Sequence, residues 1–148
     1  MRFTNKIVLV TGSGRGIGAA TALAFANEGA KVIITSRHND ELQSIKQQFD
    51  QHKPLNSGGS IHPFEADLSV DSNIQSLFAF VEEGFKSLDI LVNNAGMISV
   101  KPFLELNSDD WDIAWNVNVK APMRCSQLAF PLMSSGGDII NISSLAGI

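Results

Sequence analysis

The sequence has 148 residues, 44% of them hydrophobic and 18% charged, which is enough for one domain with a real core and excludes a disordered tail. A formal net charge of −4 gives no footprint for a nucleic-acid backbone, and no apolar run approaches the length of a membrane span. The single cysteine, Cys125, excludes a disulfide framework and a cysteine-built zinc site, and no other metal site is expected. Residues 1–6 lead into a strand-like run with no leader pattern, so a cytoplasmic protein is expected.

Short apolar runs alternate with helical patterns, the signature of βαβ units around a parallel sheet. Ile7 to Val10 is a continuous apolar strand, followed by a glycine-rich turn. The next helix is predicted to bury Ile17, Thr21, Ala24 and Phe25 and to end at Gly29. Lys31 to Thr35 is the second strand; Leu42, Ile45 and Phe49 then form a helical stripe, and Pro54 to Gly59 a loop. Ile61 to Glu65 reads as a weaker strand near a sheet edge, because Pro63 cannot donate to a ladder. Ser69 is the expected cap of a helix with the stripe Val70, Ile74, Leu77, Phe78 and Val81.

Leu88 to Val92 is the fourth strand. Ser108 is the expected cap of a long helix carrying Trp111, Ala114, Val117, Ala121, Leu128 and Leu132, with a kink at Pro122. Asp138 to Ile142 is the fifth strand. Five strands with four crossovers predict a doubly wound, Rossmann-like sheet in the order 3-2-1-4-5. A ligand then belongs at the carboxyl ends of strands one and four.

Gly12, Ser13, Gly14, Arg15, Gly16, Ile17 and Gly18 lie between the first strand and its helix. Glycines there let a phosphate approach bare backbone, while the helix N-terminus offers N–H groups and a positive dipole end. The turn has no lysine, which excludes a P-loop. Gly12, Gly14 and Gly16 also fit the GxGxG of S-adenosylmethionine methyltransferases, but strand two ends in Ser36 and Arg37 rather than the usual acid.

Thr11 to Gly18 resembles the TGxxxGxG motif of the short-chain dehydrogenase/reductase family, and Asn93-Asn94-Ala95-Gly96 its NNAG motif. Asp67-Leu68 resembles its adenine contact. Trp111-Asp112 with Val117 to Pro122 resembles its central helix, and Asn141 to Gly147 its catalytic-serine strand. The resemblance spans the chain in order. It implies a nicotinamide cofactor and hydride transfer to or from a small carbonyl or alcohol substrate. Asn94, Ala95 and Gly96 would lie beside the nicotinamide and its ribose, with Asn93 structural. Ser144 would bond the substrate oxygen, and Asn118 would orient a water in a proton relay. It also implies a homo-oligomer paired through the long helix.

NAD enzymes of this architecture usually place Asp or Glu at the end of strand two, holding the ribose 2′-OH. Here Ser36 and Arg37 stand there, and Arg37 offers a fork of donors matched to phosphate oxygens. Arg15 can approach from the glycine turn, so NADP is the expected cofactor. The resemblance further implies a tyrosine as general acid, with a lysine four residues on. The sequence has no tyrosine, and family members run to roughly 250 residues. The expectation is therefore an incomplete NADP-binding domain spanning residues 1–148, cut before strands six and seven and inactive alone. The other reading is a non-catalytic nucleotide-binding or partner-binding module.

Overall fold

The computed structural model describes residues 1–55 and 57–144. Strands β1 (Ile7–Thr11), β2 (Lys31–Ser36), β3 (Ser60–Glu65), β4 (Ile90–Asn93) and β5 (Asp138–Asn141) form one parallel sheet in the order β3-β2-β1-β4-β5. Both the parallel pairing and the order agree with the sequence pattern. Ile7 stands opposite Lys31 and Thr11 opposite Thr35, while Val10 stands opposite Val92 on the other side. The carboxyl ends of β1, β2 and β4 are thus level. β3 is an edge strand, and Pro63 sits in it opposite Ile34.

Alternation within β1 divides the core in two, as the period of a strand requires. Ile7 and Leu9 face one layer, with Leu77, Phe78 and Val81 of α3 (Asp71–Phe85) and Ala121, Cys125 and Ala129 of α5 (Ala121–Ala129). Val8 and Val10 face the other, with α1 (Gly16–Asn27) and Leu42, Ile45 and Phe49 of α2 (Asn39–His52).

α1 meets the sheet through a different face from the expected one. Gly18, Ala19, Ala22 and Ala26 are buried, and Ile17 is left 67% exposed. Small side chains let the helix axis approach the strands, so packing selects the alanine row over the row of larger residues. Gly29, at φ +96°, ends the helix as expected. Ser69 does not cap α3; Val70 holds that position without a side-chain bond and is itself exposed. The backbone N and Oγ of Ser69 donate to Asp67 Oδ1 instead, at 2.9 and 2.7 Å.

The long helix is also divided. Its cap is Asn107, not Ser108: the Asn107 side chain accepts from Asp110 N while the Asp110 carboxylate accepts from Asn107 N. α4 (Ser108–Trp115) buries no residue, and Trp111 and Trp115 are 62% and 55% exposed. A π-helical turn over Asn116–Lys120 precedes α5. Pro122 explains it: its ring clashes with the carbonyl four residues back, that of Asn118, and it brings no N–H to that carbonyl.

β5 is the second edge. Ile139, Ile140 and Ile142 are 38%, 40% and 44% exposed there. An apolar strand edge pairs with other chains unless charged or covered. The 148-residue chain is therefore expected to self-associate on size-exclusion chromatography, and Ile140→Lys to shift it toward monomer. A native chain that elutes as a monomer would contradict this reading of the edge.

Candidate functional site

The glycine turn is held from beneath. Ser13 is buried, and its Oγ donates to Val10 O at 2.6 Å and accepts from Thr35 N at 3.0 Å. Its own N–H reaches Thr35 O at 2.9 Å. Ser13 therefore ties β1 to β2 and presents no side chain to the cleft. Across the sheet, Asn94 Nδ2 donates to the carbonyls of Thr11 and Gly12 at 2.9 and 3.0 Å. Thr11 Oγ1 accepts from the N–H groups of Asn94 and Ala95, both at 3.0 Å. Asn94 thus fixes the turn to the end of β4 as well as lining the cleft.

Glycine is required at two positions of this turn. A Cβ on Gly12, at φ +61°, would lie 2.7 Å from Ala95 Cα. A Cβ on Gly18 would strike the Gly12 carbonyl and come within 2.9 Å of Ser13 Cα. No side chain caps α1 and no acid stands in its first turn. The leading N–H groups of a helix are orphans that seek an acceptor. Here they open on a cleft of about 330 Å3, within the range of small-molecule sites.

The cleft gathers most of the residues expected to act together. Gly12, Gly14, Arg15, Ile17 and Gly18 form one wall; Ser36 and Arg37 stand at the end of β2, Asp67 and Leu68 beyond β3, and Asn94, Ala95 and Gly96 beyond β4. Gly16, at φ +58°, shapes the turn from outside the lining. Thr35 also lines the cleft, and its buried Oγ1 has no partner among the described residues. These bare-backbone walls, the uncapped helix and the arginines suit a dinucleotide carrying phosphate.

Besides Ser13 and Gly16, the two residues expected to serve catalysis, Asn118 and Ser144, lie apart from that lining. Asn118 clamps the Met97 backbone from both sides, accepting from Met97 N at 2.9 Å and donating to Met97 O at 2.8 Å. It orders the segment after β4, and Met97 lines the cleft. Ser144 is exposed just beyond β5, and Leu145, Ala146 and Gly147 of the same motif lie outside the described residues. Asn93, expected to be structural, bonds Asn141 Oδ1 at 2.9 Å and Ser126 Oγ at 3.3 Å, joining β4 to β5 and α5 through side chains.

Sequence reasoning passed over Glu41, His38, Met97 and Val117, all of which line the cleft. Glu41 is the consequential omission. It lies in the first turn of α2, five residues after Ser36, and its carboxylate reaches within 3.5 Å of Ser36 Oγ and 3.9 Å of Arg15 Nη1.

Residues 6–148 match the short chain dehydrogenase family. The chain belongs to the short chain dehydrogenase family. Among this family's members, an uncharacterized oxidoreductase of Staphylococcus aureus (strain N315) is 34% identical over 146 residues, which are 97% of this chain and 60% of that protein. A metagenomic short-chain oxidoreductase, solved in complex with NADP, superposes with a TM-score of 0.90 at 33% identity, covering 99% of this chain and 66% of that one. L-sorbose reductase from Gluconobacter frateurii, solved with NADPH and L-sorbose, gives 0.88 at 30% identity, covering 97% and 54%. This short chain dehydrogenase sequence thus spans 60% of the length of the S. aureus relative.

Cys125 stands apart from the cleft chemistry. It is fully buried in the α3–α5 layer, and burial pushes its thiol up to about 12. The thiol stays neutral across the ordinary pH range, so iodoacetamide is expected to leave it unmodified in the folded chain and to react once denaturant is added. Rapid native alkylation, followed by mass spectrometry, would contradict the packing of α5.

Proposed function

We propose that this chain supplies the NADP(H)-binding part of an oxidoreductase that moves hydride between nicotinamide and a carbonyl or alcohol carbon. The observation that carries the reading is the uncapped start of α1, walled by glycine and opening on a cleft that also carries Arg15 and Arg37. The backbone of Gly14, Arg15, Gly16, Ile17 and Gly18 would receive the pyrophosphate. Arg37, with Arg15 and Ser36, would take the 2′-phosphate. Asp67 and Leu68 would meet the adenine, and Asn94, Ala95 and Gly96 the nicotinamide ribose.

Asn118 holds Met97 through its side chain, and at that position it would orient a water in the proton relay. Ser144 would donate to the substrate oxygen and stabilise charge developing there. When bound, the nicotinamide supplies or accepts the hydride. The proton donor implied for the family is a tyrosine, and the 148 residues contain none. Loss of a general acid costs about 10²–10⁴-fold in rate. Titration with NADPH and an oxidation assay over a carbonyl panel test the reading: binding without turnover is expected. Failure to bind NADPH would overturn the cofactor assignment, and turnover by this chain would overturn the role given to the missing acid.

The second reading is a nucleotide-binding module without chemistry. A Tyr-x-x-x-Lys encoded shortly after residue 148 favours the oxidoreductase, and a stop codon there the module. Homo-oligomerisation through α4 and α5 belongs with the first reading, since Trp111 and Trp115 are exposed on that face.

A further inference from the structure

Strand two ends without an acid, yet the fold brings a carboxylate to its end. Glu41 enters from the first turn of α2 and stands 3.5 Å from Ser36 Oγ and 3.9 Å from Arg15 Nη1. It also packs on the glycine turn: a Cβ at Gly14 would collide with Glu41 Oε2 and lie 2.9 Å from Ser36 Oγ. Arg15, Ser36, Arg37 and Glu41 all line the same cleft. Two of the three groups assigned to the 2′-phosphate already face an anion that belongs to the chain.

We infer that Glu41 is an internal competitor of the 2′-phosphate, a specificity-determining residue that weakens the preference for NADP(H) over NAD(H). The inference rests on the cofactor reading above. A phosphate dianion seated between Arg15 and Arg37 meets the Glu41 carboxylate at close range, and like charges there repel. Arg15 must also leave Glu41 to engage the phosphate. The Arg15 side chain is 86% exposed, so that pair is weak and easily exchanged. The carboxylate thus lowers affinity for the phosphorylated ribose without preventing its binding. A nucleotide lacking the 2′-phosphate does not meet this repulsion.

The test compares adenosine 2′,5′-bisphosphate with 5′-ADP on the 148-residue chain and on its Glu41→Gln and Glu41→Asp variants, by calorimetry at two salt concentrations. Glu41→Gln is expected to tighten the 2′,5′-bisphosphate roughly fivefold at low salt and to change 5′-ADP less than about twofold. Added salt should narrow the gain, and Glu41→Asp should keep most of the native weakness. Equal changes for both nucleotides would make Glu41 a structural residue of α2 and overturn the inference. Selective loss of 5′-ADP would make it the 2′-OH acceptor and also overturn it. If the bisphosphate binds no form of the chain, the cofactor reading itself falls.

Discussion

Replacing Gly18 with valine is expected to abolish nucleotide binding and to lower stability, the largest effect of any single change in the cleft. The added Cβ would strike the Gly12 carbonyl, come within 2.9 Å of Ser13 Cα and press on Asn94 Nδ2. Two of those groups are backbone and cannot swing aside. The third donates the bonds that tie the turn to β4. Overpacking of this kind costs about 1–3 kcal/mol, and the turn would move away from the line that presents the α1 N–H groups. Gly16→Ala is the control. Its Cβ meets nothing within 4 Å, and the penalty is the positive φ of +58°, a strain of about 1–2 kcal/mol. Thermal unfolding and NADPH titration of both variants separate the cases. A Gly18→Val chain that binds NADPH as tightly as the native one would show that the turn is only a corner between β1 and α1.

Arg37→Asp is expected to reverse cofactor preference. The substitution removes a fork of charge-assisted donors and places a carboxylate where NAD-binding sheets of this type hold the ribose 2′-OH. NADPH affinity should fall roughly ten- to a hundredfold, and NADH affinity should hold or rise. The test is a pair of titrations on each protein. An unchanged ratio of NADPH to NADH affinity would remove Arg37 from the 2′-phosphate site and leave Arg15 and Ser36 as its only cationic and hydroxyl donors.

The sheet was legible in the sequence because each buried strand is a short apolar run bounded by turn residues, and because right-handed crossovers leave few orders open. The Leu42, Ile45 and Phe49 stripe of α2 was equally plain, since large side chains mark the buried face. α1 was misread because its buried face consists of glycine and alanine, whose signal is smallness and not hydrophobicity. Ser69 and Ser108 each stand one residue from the observed cap position. Nearby acceptors, Asp67 two positions before Ser69 and Asn107 one before Ser108, are invisible to a rule that scores one residue at a time. Ser13 and Asn94 fell in recognisable motifs, yet their side chains are spent on β2, β1 and the turn, a division of labour that only the packed sheet displays. Glu41 left no motif at all, because its approach to Ser36 and Arg15 depends on how α2 leaves β2.

Hydrogen–deuterium exchange of the 148-residue chain, with and without saturating NADP+ and with NAD+ at the same concentration, tests the central claim most directly. The cleft reading predicts that NADP+ protects the backbone over residues 12–18, 36–38, 66–68 and 94–97, the four segments that surround the cleft. NAD+ should protect the same segments more weakly, with the largest deficit at residues 36–38. Protection confined to other parts of the chain, none at all, or equal protection by both nucleotides at 36–38 would contradict it.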